Sequence, residues 1–226
     1  MRTKGFFRGV LLAAAVTLAL LTGIIRIIGC SARVYEREMT RFAPPEATGL
    51  PAEEYPGMAA HIADYLAGRK DSFQYVITTP DGESVACFHE NELIHMEDCR
   101  ALIRLDGIVC LISLAAAAVC GISIVRGDAD SRRGAQRGAR SCLWALSVIA
   151  AGVAIWAVID FEGPFLTFHR IAFRNDLWLM DPRTDLLIRL MPEAMFVDLG
   201  LKGFAVFAVC MTLTALGTVW WKRRVQ

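Results

Sequence analysis

The sequence is without an excess of either charge, without a nucleophile motif and without a complete metal motif, and each absence closes off a class of protein. The 24 Lys and Arg are offset by 23 Asp and Glu, leaving a net charge of +1, so no partnership with nucleic acid is implied. No Gly-x-Ser-x-Gly occurs, so nothing marks a serine held on a strained elbow for acyl-enzyme chemistry. Glu92-x-x-His95 has the spacing of helical metal ligands, but no second Glu-x-x-His and no His-Glu-x-x-His accompanies it. The 7 cysteines make no disulfide framework, because Cys110, Cys120, Cys142 and Cys210 lie inside apolar runs, where Cys is a small hydrophobe. Cys30, Cys87 and Cys99 fall in polar segments. A Cys87–Cys99 bridge is left open, since spacing does not supply the geometry a disulfide needs.

What the sequence does have is long stretches without charge. Hydrophobic residues make up 55% of 226, above the ~45–50% of a soluble domain. They are concentrated in Gly9 to Ile25, Gly107 to Val125, Ser141 to Ile159 and Gly203 to Trp221, none of which contains a charged residue. A helix needs roughly 20 such residues to cross ~30 Å of hydrocarbon. The first run is short, but Arg26 can snorkel and Ile27, Ile28 and Gly29 extend it. Basic residues, an apolar run and then Gly29-Cys30 also resemble a lipoprotein signal. Arg26 interrupts the region that such signals keep uncharged, so an uncleaved span is expected.

Charge placement orients these spans. Arg2, Lys4 and Arg8 precede the first; Arg126, Arg132, Arg133, Arg137 and Arg140 fill the second link; Lys222, Arg223 and Arg224 follow the fourth. Positively charged links stay in the cytoplasm, which puts both termini inside. The expected division is a first transmembrane helix over 1–29, an extracytoplasmic segment over 30–106 and a second span over 107–125. A basic cytoplasmic loop then covers 126–140, a third span 141–159, a second outer loop 160–202, and the fourth span with its tail 203–226. The fold class is a mainly α, four-span membrane protein with a small α+β cap outside.

Within the first outer segment, Val34 to Phe42 reads as an outward continuation of the first span, broken by Pro44-Pro45. Met58, Ile62, Tyr65 and Leu66 recur at helical spacing, with Gly68 as a stop. Phe73 to Thr79 and Ser84 to Phe88 flank Pro80-Asp81-Gly82, the pattern of a hairpin. A helix capped near Asn91 runs on into the second span. The second outer segment is rich in aromatics, including Phe161, Phe165, Phe168, Phe173, Trp178 and Phe196. Aromatic side chains of this kind favour the headgroup level. Asp181-Pro182 suggests the start of an interfacial helix carrying Leu186, Leu187, Leu190 and Met191.

All 4 histidines lie in the outer segments. His61 reads as a surface residue and His89 as a structural one at a strand end. His95 shares a helix face with Glu92 and Cys99, and Asp98 lies close enough to orient its ring. His169 sits among Phe165, Phe168 and Phe173, where a polar ring at the lipid interface needs a reason.

The segment Phe88-His89-Glu90-Asn91-Glu92-Leu93-Ile94-His95-Met96-Glu97-Asp98 contains an acidic-x-x-His-x-x-Asp pattern. It is followed by Phe168-His169-Arg170, Phe173, Trp178, Asp181, Asp185, Leu187-Ile188, Pro192, Phe196 and Asp198. In this order, with four spans, the chain resembles the bacterial lipoprotein intramolecular transacylases. Cys99 departs from the family, standing where an aliphatic residue is expected; Met195 stands where an aromatic is expected. The resemblance implies an acyltransferase that moves the sn-2 acyl chain of a diacylglyceryl-cysteine lipoprotein onto the α-amine of the same cysteine, leaving an N-acyl lyso-lipoprotein. It implies no cofactor, no metal, a diacylated lipoprotein as substrate and the bilayer as surroundings. His95 and His169 map onto the family's functional histidines. Glu92, Asp98, Asn175, Trp178 and Asp181 are expected to orient them or bind substrate. Two other readings stand beside this one: a membrane sensor that binds a partner through the outer segments, and a metal-dependent membrane hydrolase using Glu92 and His95 with His89 and His169.

Overall fold

The computed structural model describes residues 5–79 and 81–225, with side chains in the last helix described through residue 218. Arg2, Lys4 and Pro80, and the side chains of Lys222, Arg223 and Arg224, on which part of the charge and turn reading rests, lie outside the described residues. Among those described there are nine α-helices, one 3-10 turn and one two-stranded sheet. The helices are α1 (Phe6–Gly29), α2 (Ala32–Phe42), α3 (Pro45–Thr48), α4 (Tyr55–Leu66) and α5 (Glu90–Val125). After them come α6 (Ala129–Ile159), α7 (Glu162–Ala172), α8 (Leu186–Leu190) and α9 (Glu193–Val225). Four of these, α1, α5, α6 and α9, are long and apolar enough to cross a membrane. The protein is a mainly α, integral membrane protein.

Contacts divide the chain into two units. The first holds residues 1–25, 106–164 and 203–226. Its helices approach at small residues, as membrane helices do when lipid removes any hydrophobic gain from association. A Cβ added to Gly9 would sit 1.8 Å from the Ala135 carbonyl oxygen, and one on Gly138 2.0 Å from that of Phe6. The backbones of α1 and α6 therefore touch. Ala13, Ala139, Leu143, Phe207 and Met211 form the buried centre. Leu111, Val119, Trp144 and Ile159 lie open on the outside, as they must where lipid is the solvent.

The basic link departs from expectation. Its loop is confined to Arg126–Asp128, and the rest of 126–140 is the start of α6. Asp128 caps that helix by accepting from the Ser131 amide at 2.7 Å. One face carries Ser131, Gly134, Ala135 and Gly138 and is buried, while Arg133, Arg137 and Arg140 stay exposed on the other. A helix so patterned satisfies the arginines and the small residues together, which a loop would not.

The second unit holds residues 26–105 and 165–202. The expected outward continuation of α1 is broken at Cys30–Ser31: Ser31 adopts an extended backbone and caps α2. Met39 of α2 packs with Met58 and Ile62 of α4 in one core, joined by Leu186, Leu187 and Leu190. The helix read as interfacial is thus part of the protein core. It begins at Leu186, after Asp185, rather than at Pro182, and the Leu187 amide in its first turn donates to Glu92. The hairpin is present, with Val76 opposite Ala86, Ile77 opposite Val85 and Thr78 opposite Ser84. Its turn is completed by Gly82 at φ +83°, a left-handed conformation that glycine adopts without strain.

His61 is not on the surface. It is buried, with Nε2 bonded to the Phe73 carbonyl at 2.8 Å and Nδ1 facing Lys70 Nζ at 3.2 Å. A carbonyl accepts and an ammonium donates, so this ring is neutral and serves to hold the loop ahead of the hairpin. The Cys87–Cys99 bridge left open by the sequence is not formed, and no disulfide joins any cysteine among the described residues.

Candidate active site

The start of α5 is set by a carboxylate. Glu92 is fully buried, and its Oε2 accepts from the His89 amide at 2.7 Å. That is the reach-back of a capping box, in which the third helical residue satisfies the donor before the first turn. Its other oxygen, Oε1, accepts from the Leu187 amide at 2.6 Å, in the first turn of α8. One side chain therefore closes two helix starts separated by more than 90 residues of chain. Asp185 completes the join: its Oδ2 accepts from Asn91 Nδ2 at 3.2 Å and from the Asp181 amide at 2.8 Å. His89 Nδ1 stands 3.6 Å from Glu92 and 3.5 Å from Asp185. His89, Glu92 and Asp185 place ligand-type atoms within 4.8 Å of one another. Their negative charge already faces backbone donors at two helix N-termini. The sequence grouping of Glu92 with His95 as ligands is not realised.

One turn along α5, His95 has different company. Its Nε2 lies 3.5 Å from Cys99 Sγ. Its Nδ1 is buried without a hydrogen-bond partner among the described residues. Neither Glu92 nor Asp98, the residues expected to orient this ring, bonds to it among the described residues. Glu92 is committed to the two amides, and Asp98 instead accepts from Asn175 Nδ2 at 2.8 Å.

His169 is buried on α7, with Nδ1 2.7 Å from the Phe165 carbonyl oxygen one turn earlier. Because a carbonyl can only accept, Nδ1 carries the hydrogen and Nε2 keeps its lone pair. Rings surround the imidazole: Phe165 at 4.1 Å between centroids, Trp178 at 4.9 Å, Phe168 at 5.3 Å and Phe173 at 5.4 Å. Trp178 is held by its own indole N–H, which donates to the Asn175 carbonyl at 2.9 Å. Asp98, Asn175, Trp178 and His169 thus form one chain of contacts from α5 to α7. Asp181 pairs with Arg183 two residues on, and the Arg183 hydrogen bonds hold its carboxyl below the usual range. Among the described residues it bonds to neither ring of the histidine pair.

The two imidazoles meet. Their centroids are 6.3 Å apart and their planes 23° from parallel, with Phe173 edge-on to His95 at 5.0 Å. At 36 residues, α5 is about 54 Å long, well over the ~30 Å of a bilayer core. Its charge-free part, Gly107 to Val125, is long enough to cross by itself, and His95 precedes it by about three turns of helix. Burial pushes the His95 pKa down to about 4, helped by His169 and opposed by the charge of Asp98. Burial also lowers His169, against the opposing effect of the Phe165 hydrogen bond. Both rings are neutral near pH 7, one with its lone pair free at Nε2. Such a pair can accept a proton at one point and donate at another.

The model of the family described as lipoprotein intramolecular transacylase Lit matches residues 10–196. The chain belongs to this family. Among solved structures, the fold is similar to the in meso structure of the membrane integral lipoprotein intramolecular transacylase Lit from Bacillus cereus. The TM-score is 0.72 at 17% identity, covering 96% of this chain and 97% of that one. Structures of the same Bacillus cereus protein with one histidine replaced, by arginine or by alanine, match with TM-scores of 0.68 and 0.64. Their identities are 17% and 15%, and each covers 97% of this chain. No curated protein matches the sequence. Sequence reading in the light of this family placed Cys99 on the helix face of His95 without giving it a role, and it missed the second partner of Glu92. The first is an i, i+4 relation on one helix; the second crosses the chain and leaves no local pattern.

Proposed function

We propose that this transacylase moves the sn-2 ester acyl chain of a diacylglyceryl-cysteine lipoprotein to the α-amine of that cysteine, using His95 and His169. The observation that carries the assignment is the pair of neutral imidazoles, 6.3 Å apart in an aromatic enclosure. The amine attacks the ester carbonyl carbon, forming C–N. The tetrahedral intermediate then breaks its C–O bond, and the proton lost by nitrogen ends on the sn-2 oxygen. An α-ammonium has a pKa of ~7.7–8, so a strong base is not required. Holding amine and ester in reach can contribute up to ~7–11 kcal/mol. His169, with Nε2 unprotonated, takes the amine proton, His95 donates its proton to the ester or alkoxide oxygen, and the proton on His169 then passes to His95, so that both rings end neutral. Asn175 and Trp178 hold His169, and Asp98 holds Asn175. Glu92 keeps α8 against α5. The charge pattern of the links supports cytoplasmic termini and a site at the outer leaflet.

The test is expression in a bacterium whose lipoproteins keep a free α-amine, followed by mass spectrometry of their N-termini. Appearance of N-acyl lyso-lipoprotein supports the reading; unchanged diacylated N-termini, with the protein present in the membrane, overturn it.

A further inference from the structure

The proton-transfer scheme needs the two rings in opposite roles, and the surroundings of His95 bear on which role it takes. Cys99 follows His95 by one helical turn and packs against the core of its unit, with Sγ 3.5 Å from Nε2. Either atom can carry the hydrogen between them. A thiol sulfur is a weak acceptor, whereas an unprotonated imidazole nitrogen is a good one, so S–H to N is the favoured direction. Burial, with Asp98 adding to it, pushes the Cys99 thiol up to about 12, so its proton stays on sulfur. Once Nε2 accepts, the neutral ring must carry its hydrogen on Nδ1. That nitrogen is the one buried without a hydrogen-bond partner among the described residues, and an unmatched buried donor is costly until something fills it.

We propose that Cys99 is a positioning residue: its S–H donates to His95 Nε2 and holds the ring in the Nδ1–H form, so that Nδ1 meets the ester or alkoxide oxygen. His169 is held in the matching state by the Phe165 carbonyl, with its Nε2 lone pair available. Two backgrounds, a thiol and a peptide carbonyl, thereby give two like side chains unlike roles. The inference rests on the transacylase reading above for its meaning, but not for its measurement.

The full-length protein, labelled with 15N-histidine in lipid nanodiscs, reports the tautomer of His95 directly through its ring nitrogen shifts. The expected result is the Nδ1–H form in the parent and in Cys99→Ser, which keeps a donor, and a mixture of forms in Cys99→Ala. In transacylation assays Cys99→Ala lowers kcat about fivefold, the loss of one hydrogen bond, with KM unchanged, and Cys99→Ser recovers most of the rate. An Nε2–H ring in the parent overturns the proposal, and so does a Cys99→Ala variant with an unaltered tautomer. A parent protein that shows the expected tautomer but forms no lyso-lipoprotein refutes the transacylase reading and leaves the contact standing.

Discussion

Two histidine sites are built where the start of α5 meets the chain from α7 to Asp185, and they differ in nearly every physical respect. His89 has a side chain 64% exposed and faces two buried carboxylates, Glu92 and Asp185. His95 and His169 face each other, aromatic rings and a thiol, and make no hydrogen bond to a carboxylate among the described residues. The acids close helix starts and fasten one stretch of chain to another. The paired histidines are left uncharged. An imidazole bonded to a carboxylate would have its pKa raised and a nitrogen occupied; leaving both rings without one keeps them neutral and free to exchange protons.

The strongest way to break this comparison is to remove one ring at a time. His95→Ala or His169→Ala is expected to lower lyso-lipoprotein formation by about 10²–10⁴-fold, the usual contribution of a positioned acid or base, at unchanged membrane content. His89→Ala should stay within a fewfold of the parent in the same mass-spectrometric assay. If His89 matters as much as His169, the division between fastening and chemistry is wrong.

Next comes Glu92. Glu92→Ala leaves two amides of buried helix starts unmatched, and a loss of about 2–5 kcal/mol is expected in denaturant or thermal unfolding. Glu92→Gln retains a carbonyl for one amide and should lose less. A Glu92→Ala protein as stable as the parent would show that the double cap carries little energy.

The pH profile sharpens the same contrast. With His95 lowered to about 4, this ring is already neutral at pH 6. The acid limb of the rate should then follow the substrate amine, rising about tenfold per pH unit and levelling near 7.7–8. A midpoint near 6.5 would instead report an ordinary imidazole. Stability moves separately. His61, His95 and His169 all have lowered pKa values, chiefly from burial. Their unfolded forms bind protons first, so the stability they contribute is complete above about 6.5 and declines as pH falls below it. Unfolding followed between pH 7.5 and 5 should show that decline.

The smallest expected effect belongs to Asn175→Ala, which removes the side-chain bond to Asp98 but keeps the backbone carbonyl that holds Trp178. A fewfold drop in kcat with stability nearly unchanged is expected, and no change in kcat would remove the Asp98–Asn175 contact from the positioning of His169.

The reading from sequence succeeded where the signal is local and failed where it is not. Charge-free runs marked the four membrane helices, and two short β-prone runs around Pro80-Asp81-Gly82 marked the hairpin. Failure came where charge was taken to mean exposure. The arginine-rich stretch after Arg126 is helix, because its small residues recur on one face and pack against α1. His61 is buried, because Lys70 and the Phe73 carbonyl satisfy both ring nitrogens. The company of His95 and of His169 was legible in the sequence, their pairing came through likeness to a family, and among the described residues neither Glu92 nor Asp98 bonds to His95. Helical spacing places Glu92 and Asp98 near it, but spacing says nothing of which acceptors the opposite loop will claim.

By itself the sequence determined that the chain lives in a bilayer, since the cost of exposing so much apolar surface to water is a property of composition and run length. It also determined which groups were available for chemistry. Folding decided which of those groups touch: Glu92 went to Leu187 and Asp98 to Asn175, while His95 was left to Cys99 and His169. A hydrogen bond depends on a few tenths of an ångström and on direction, and between segments so distant along the chain only the packed core sets either.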